Sequence, residues 1–362
     1  MYDYNGSDEV YLNRCFELAA KGKGTVTPNP LVGAVLVKNG NVIGEGFHKQ
    51  YGDVHAEVNA LNNSTENSEG STLYCNLEPC CHTNKQTPPC IPLIIKHGIK
   101  KVVISNLDPN PDVSGEGVKQ LRDAGIEVIT DRLKNEGKEL NKFYFKHTTY
   151  NVPYITLKIA QSTDGKISKS KNEQTWLTGE ESNRFVHRQR AVYDAVLVGA
   201  NTVAVDNARL DVRNVEGRNP KRIILDGKLS IDLNAAVLSA DDIENTWLLI
   251  SKYADKAKIN QITKKGARII QFNTAENEKI DLMDILTKLG EEKITSLFVE
   301  GGSNIFTQFF EGNYFEEIII LEAPIDFGKG VNGIPLTSLG HLKKISSERI
   351  GKELKLVFKK NE

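Results

Sequence analysis

The sequence predicts an α/β protein of two domains, residues 1–150 and 151–362. Three observations predict it. Apolar runs of strand length alternate with helical periodicity from the start of the chain to about residue 146. A second alternation of the same kind begins after Tyr150-Asn151-Val152-Pro153, where a proline and polar neighbours interrupt the first. The length of 362 residues is what two domains require.

In chain order, an amphipathic helix is expected over 7–21, ended by Gly22 and Gly24. Strands over 31–37 and 41–47 flank Asn39-Gly40, a pair that favours a tight hairpin because both residues accept positive φ. A helix near 55–62 leads to a strand over 71–77, and one near 90–97 leads to a strand over 101–106. A third, near 117–124, leads to a strand over 126–130. Strands separated by helices imply parallel pairing after the opening hairpin. A charged helix over 133–146 closes the first domain. In the second, strands are expected over 154–160, 195–199, 222–225, 246–250, 268–271, 296–300 and 317–322, with a helix over 180–193.

Charge removes one class of partner. Residues 1–150 carry 16 Lys+Arg against 18 Asp+Glu, and the remainder carries 30 against 29. Neither half is the polycation that binds a phosphate backbone, so no nucleic-acid partner is expected. The longest aliphatic run, Ile318-Ile319-Ile320-Leu321, has strand length, well below the roughly 18 residues of a membrane span. Met1-Tyr2-Asp3-Tyr4-Asn5 has neither the basic nor the apolar stretch of a signal peptide, and a cytoplasmic location is expected.

The five cysteines, Cys15, Cys75, Cys80, Cys81 and Cys90, are odd in number and confined to the first quarter, which argues against a disulfide framework. Cys15 on an apolar helix face and Cys75 in an apolar strand read as small core residues. The other three lie in a polar turn punctuated by prolines. With His55 they have the makings of a metal site. One His and two Cys, here His55, Cys80 and Cys90, hold zinc with a fourth position left for water, as a catalytic zinc requires. Cys80 and Cys90 each follow a proline near a helix start, where the helix dipole favours the thiolate. Glu57, two residues after His55, can carry protons without being a ligand. His-x-Glu followed by Pro-Cys and a further Cys is the zinc-deaminase pattern. The plainer alternative makes His55 a helix cap, Glu57 a solvated acid and the cysteines packing groups.

These residues carry a resemblance. Thr27-Pro28-Asn29-Pro30-Leu31-Val32-Gly33, Gly46-Phe47-His48, His55-Ala56-Glu57, Glu78-Pro79-Cys80, Thr87-Pro88-Pro89-Cys90 and Asp108-Pro109-Asn110-Pro111 resemble the deaminase half of the bifunctional riboflavin-biosynthesis deaminase/reductases. The resemblance implies a cytidine-deaminase-like, three-layer α/β domain, with Asn29, His48 and His82 lining a pyrimidine pocket. Nine residues separate Cys80 from Cys90, against two in nucleic-acid deaminases. The family has serine where Cys81 stands, and an inter-cysteine loop one residue shorter. That leaves the first thiolate open between Cys80 and Cys81, with Cys80 favoured because it directly follows Glu78-Pro79.

The second domain matches G-x-G-x-x-G at Gly328–Gly333, but Pro335 follows and no helix opens there, so this is not read as a dinucleotide loop. Other segments say more. The strand over 154–160 runs into Gln161-Ser162-Thr163-Asp164, polar groups at its C-terminal mouth, where α/β sheets bind ligands. Gly199-Ala200-Asn201-Thr202 and Glu300-Gly301-Gly302-Ser303 are both strand-to-helix turns able to meet phosphate. In this order they resemble the reductase half of the same family, which implies a dihydrofolate-reductase-like α/β domain using NADPH. By that resemblance Lys158, Gln174, Arg190, Leu210, Arg213 and Glu300 face the substrate, and Gln161, Trp176, Thr202, Asp206, Gly302 and Ser303 face the cofactor. Arg190 and Arg213 are expected to fork onto the 5′-phosphate. The turn Asp226-Gly227-Lys228 is expected to bring charge to the 2′-phosphate of NADPH. Where the family has Asp-Pro after Asp206, this chain has Asn207-Ala208.

The implied activity is zinc-dependent deamination of 2,5-diamino-6-ribosylamino-4(3H)-pyrimidinone 5′-phosphate. NADPH-dependent reduction of the ribosyl chain then gives 5-amino-6-(5-phosphoribitylamino)uracil. The expected partners are that small molecule and further copies of this chain in a homo-oligomer, with no membrane. The rival is a zinc-stabilised nucleic-acid-binding module fused to an inactive nucleotide-binding domain.

Overall fold

The computed structural model describes residues 7–82, 87–171, 173–275 and 279–361; the opening segment read above for a signal peptide lies outside them. The chain divides into two compact units, Met1–Asn151 and Val152–Glu362. No helix among the described residues is long and apolar enough to cross a membrane.

The first unit runs α1 (Asp8–Ala20), β1 (Gly33–Lys38), β2 (Asn41–Phe47), α2 (Ala56–Asn62), β3 (Thr72–Leu77), α3 (Cys90–Lys96), β4 (Lys101–Asn106), α4 (Glu116–Asp123), β5 (Glu127–Ile129), α5 (Lys134–Leu140) and α6 (Lys142–Tyr150). Its sheet has the order β2-β1-β3-β4-β5. β1 is antiparallel to β2 and β3, and β3, β4 and β5 are parallel. Because side chains alternate along a strand, β1 serves two cores at once. Ala34 and Leu36 pack with Ala60, Ile94 and Leu121 of α2, α3 and α4, while Val35 and Val37 pack with Leu12, Cys15 and Leu18 of α1. The result is three layers. Cys15 and Cys75 are fully buried, and burial pushes both thiols up, as suits small core residues.

The charged helix expected over 133–146 is two helices. The break is Asn141, whose side-chain oxygen accepts from the Leu31 N–H at 2.8 Å and whose amide donates to the Leu31 carbonyl at 2.9 Å. A buried strand approach needs its backbone groups satisfied, and this requirement outweighs helix continuity. Gly137 of α5 lies against β4, where a Cβ would stand 2.0 Å from Asn106 Oδ1.

The second unit runs β6 (Tyr154–Ser162), β7 (Lys166–Ser168), α7 (Glu180–Val192), β8 (Ala195–Gly199), α8 (Ala200–Asp206), β9 (Lys221–Leu225), β10 (Thr246–Ser251), α9 (Lys256–Lys265), β11 (Arg268–Phe272), α10 (Leu282–Glu291), β12 (Ser296–Gly301), α11 (Ser303–Glu311), β13 (Glu317–Ala323), β14 (Val331–Asn332), β15 (Lys343–Ile350) and β16 (Glu353–Lys359). The main sheet has the order β11-β10-β9-β8-β12-β6-β13-β16-β15. β11 through β13 are parallel in that order, and β16 and β15 close the edge antiparallel. One face packs Ile155, Leu157, Leu197 and Leu249 against α10 and α11, and the other packs Val196, Val198, Leu248 and Ile250 against Ile262 of α9. Parallel strands covered on both faces place all their C-terminal ends along one rim, the usual place for ligands.

The G-x-G-x-x-G segment supplies β14, which pairs with β7, and a short 3-10 turn rather than a helix follows at Leu336–Leu339. Its middle glycine, Gly330, is required by close approach, since a Cβ there would meet the Ser168 carbonyl at 2.4 Å. The two tryptophans differ sharply. Trp247 in β10 is 3% exposed, between Lys221 and Arg268, while Trp176, ahead of α7, is 76% exposed.

Candidate functional site

In the first unit His55 caps α2 in an extended conformation, Cys80 follows β3, and Cys90 opens α3. Glu78, 3% exposed, fixes the turn before Cys80 by accepting from the N–H groups of Asp108, Gly115 and Val118 at 3.0–3.2 Å. The Cys90 N–H donates to the Cys80 carbonyl at 3.0 Å, which folds the second cysteine back onto the first. His55 Nδ1 then stands 3.4 Å from Cys80 Sγ and 3.3 Å from Cys90 Sγ, and the two sulfurs are 3.4 Å apart.

Tetrahedral zinc, with Zn–S about 2.3 Å and Zn–N about 2.0 Å, spaces its ligand atoms about 3.5–3.8 Å apart. The trio matches that edge length closely, so these residues fit the metal. Cys81 is not part of it. Its sulfur faces the Asp112 carbonyl at 3.7 Å, and burial, then Glu78, raises its thiol.

Around the trio the structure gathers the other residues singled out by the sequence. Glu57 lies in the first turn of α2 and is 3% exposed. The Asn29 amide donates to His48 Nε2 at 3.1 Å, which makes His48 Nδ1 the protonated nitrogen, directed at the Val54 carbonyl at 3.3 Å. Burial lowers the His48 pKa and keeps it neutral, and its ring meets His55 edge-on at 5.6 Å. His82 keeps a buried Nδ1 with no hydrogen-bond partner among the described residues, an atom available to a ligand.

The second unit builds its cluster at the strand rim. Lys158 Nζ of β6 is 3.5 Å from Glu300 Oε2 of β12. Arg190 of α7 closes on the same carboxylate at 2.5 and 3.0 Å and reaches the Asp211 carbonyl at 3.0 Å. Burial alone would raise Glu300, but the charges of Arg190 and Lys158 outweigh it and hold its pKa at about 2. Burial lowers Lys158. Arg213 pairs with Asp211 and is half exposed. Gln174 reaches the Asp206 carbonyl at 3.5 Å.

Of the two arginines expected at the phosphate, Arg190 is paired with Glu300, and Arg213 is the more exposed. Leu210, with φ +57, is 2% exposed and packs with Val196 and Val198, so it can offer a ligand only its backbone.

On the cofactor side, Gly302 has φ +64 and precedes α11, and Thr202 of α8 lies beside it. Ser303 donates to the Asn332 carbonyl at 3.0 Å. Gln161, next to last in β6, has a buried Oε1 with no hydrogen-bond partner among the described residues, close to Gly333. An orphaned acceptor of this kind is available to a ligand. The Asp226 carboxylate is turned inward, accepting from Ser230 and Ile231, while Lys228 is exposed.

Residues 153–356 match the RibD C-terminal domain, and residues 5–106 match the cytidine and deoxycytidylate deaminase zinc-binding region. The riboflavin biosynthesis protein RibD of Aquifex aeolicus is 40% identical over 359 residues, covering 98% of this chain and 98% of its own. The chain belongs to the RibD family. Among solved structures, RibD of Acinetobacter baumannii is similar with a TM-score of 0.87 at 30% identity, over 98% of this chain and 99% of its own. The deaminase/reductase of Thermotoga maritima is similar with a TM-score of 0.84 at 36% identity and the same coverage.

RibD proteins are bifunctional enzymes of riboflavin biosynthesis that join a zinc-dependent deaminase to an NADPH-dependent reductase, and this chain carries both regions. The nucleic-acid-binding rival is not favoured.

Several residues of this RibD site are not apparent from sequence. Thr87 Oγ1 is 2.9 Å from His55 Nε2. Tyr144 donates to Asp108 Oδ1 at 2.8 Å, and burial of Asp108 raises its pKa to about 6. His187, kept neutral by burial, accepts from the Arg213 N–H at 3.4 Å. Thr87 and Asp108 stand within motifs quoted above, but none of these contacts had a readable signal of its own.

Proposed function

We propose that residues 1–150 perform the deamination and residues 151–362 the reduction. His55 through Nδ1, Cys80 and Cys90 hold the zinc. Zinc held there would lower the pKa of a bound water towards 7. Glu57 takes the proton from that water and delivers it to the leaving amine, so that the ring carbon gains oxygen and loses ammonia. Asn29, His48 and His82 orient the pyrimidine, and the neutral His48 adds no charge to it.

In the second unit NADPH supplies a hydride to the sugar C1′. Gln161, Trp176, Thr202, Asp206, Gly302 and Ser303 receive the dinucleotide. Lys158 holds a proton at Nζ beside the reacting carbon, where its lowered pKa eases transfer to the substrate nitrogen. Lys158, Gln174, Arg190, Leu210, Arg213 and Glu300 face the substrate, with Glu300 keeping Lys158 in place and Arg190 keeping Glu300 ionised. A cytoplasmic location and assembly into a homo-oligomer belong to the same proposal; light scattering of the purified protein measures the assembly.

The observation that carries this reading is the His55–Cys80–Cys90 trio at 3.3–3.4 Å within a chain of this family. The test is zinc content per chain, with ammonia release and NADPH oxidation followed in parallel. One zinc per chain and both activities are expected. A metal-free protein that still releases ammonia would overturn the first half.

A further inference from the structure

We propose that Thr87 is a positioning residue that fixes the tautomer and ring orientation of the zinc ligand His55. The proposal rests on His55, Cys80 and Cys90 being the ligands. Nδ1 of His55 faces both sulfurs, at 3.4 and 3.3 Å, so Nδ1 must offer its lone pair to the metal. A neutral imidazole then carries its proton on Nε2. Nε2 lies 2.9 Å from Thr87 Oγ1, so His55 donates and the threonine oxygen accepts.

A metal-ligating histidine needs such a partner, because that hydrogen bond selects the donor nitrogen and stops the ring from rotating. The ring has a second restraint in the edge-on contact of His48 at 5.6 Å, but an edge contact cannot choose a tautomer. An oxygen at Thr87 can.

The backbone holds Thr87 for this task. Pro88 follows it and biases it to an extended conformation, and Pro89, with φ −64 and ψ 147, leads directly into Cys90. The segment that returns Cys90 to Cys80 thus also delivers the hydroxyl to His55. Placing the partner three residues from a ligand couples histidine orientation to closure of the two thiolates.

The test compares T87V, T87A and T87S with the unaltered protein. Zinc affinity is measured by competition with a chromophoric chelator, and the ligand field by the visible spectrum of the cobalt-substituted protein. T87V and T87A should bind zinc about 10–100-fold more weakly, with a changed cobalt spectrum. T87S keeps the oxygen and should restore both. Circular dichroism of each metal-free variant separates weak binding from misfolding, and T87A repeats the test with a smaller side chain should T87V not fold. Wild-type zinc affinity in both T87V and T87A would overturn the role of Thr87. C80S is measured beside them: should it keep its zinc, the ligand assignment itself fails, whatever Thr87 does.

Discussion

At the scale of single residues the candidate metal trio of His55, Cys80 and Cys90 was readable because each residue sits in a short motif of its own. The pairing of Thr87 with His55 was not, since a hydrogen bond across 32 residues leaves no spacing to recognise. The pairing of Arg190 with Glu300 was hidden for a similar reason, since the two lie 110 residues apart along the chain. Glu57→Gln should keep zinc while ammonia release falls by about 10²–10⁴-fold, because a positioned acid–base group contributes about that much. Near-normal release from the zinc-loaded variant would exclude the role. Cys80→Ser should lose both zinc and deamination, and Cys81→Ser should keep both; metal analysis of the two variants checks this.

Glu300 makes a prediction with a definite pH window. Its folded pKa of about 2 lies below the ordinary 4.5, so its stabilising contribution is present above about 4.5 and is lost as pH falls towards 2. Glu300→Gln leaves Arg190 and Lys158 without their carboxylate, a loss of about 3–5 kcal/mol for a buried pair. Urea unfolding followed by circular dichroism should show a constant deficit above about pH 5 that shrinks below about pH 4. A deficit independent of pH would contradict the assignment.

At the scale of elements, strands flanking a packed core were legible and those outside it were not. β15 reads Lys343-Lys344-Ile345-Ser346-Ser347-Glu348-Arg349-Ile350, with charge on both faces, and it is mostly exposed at the sheet edge. An edge strand protects itself from further pairing with such charges, which erases the alternation that would reveal it. β7 and β14 are too short to leave a pattern. The split of α5 from α6 depends on Asn141 meeting Leu31, a contact across 110 residues. Gly137 of α5 gives the test of that packing. A helical Gly→Ala exchange ordinarily stabilises by about 0.5–1 kcal/mol. Here the new methyl collides with Asn106, and Gly137→Ala should instead destabilise by about 1–3 kcal/mol, read from thermal unfolding. A raised melting temperature would refute the close approach.

At the scale of the whole molecule, each unit holds its own sheet and its own cores, and every cysteine lies in the first. The two activities should therefore be separable. Glu57→Gln should leave reduction of supplied deaminated substrate intact. Asp206→Ala should impair NADPH oxidation and cofactor binding while ammonia release is unchanged. Loss of both activities in either folded variant would mean a composite site and end the two-domain assignment.

The contrast between Trp176 and Trp247 makes the molecule a selective optical reporter. Both of its tryptophans belong to the second unit, so light absorbed at the red edge of the protein band, where tyrosine is dark, is absorbed there alone. Trp247, shielded between Lys221 and Arg268, should emit to the blue and resist collisional quenchers. Trp176, 76% exposed, should emit to the red and be quenched by acrylamide. Its emission overlaps the absorption of reduced nicotinamide, so NADPH docking beside it should drain that red component by energy transfer. Zinc loading of the first unit would leave the signal unmoved. A single cuvette thus follows one active site of this enzyme while remaining blind to the other.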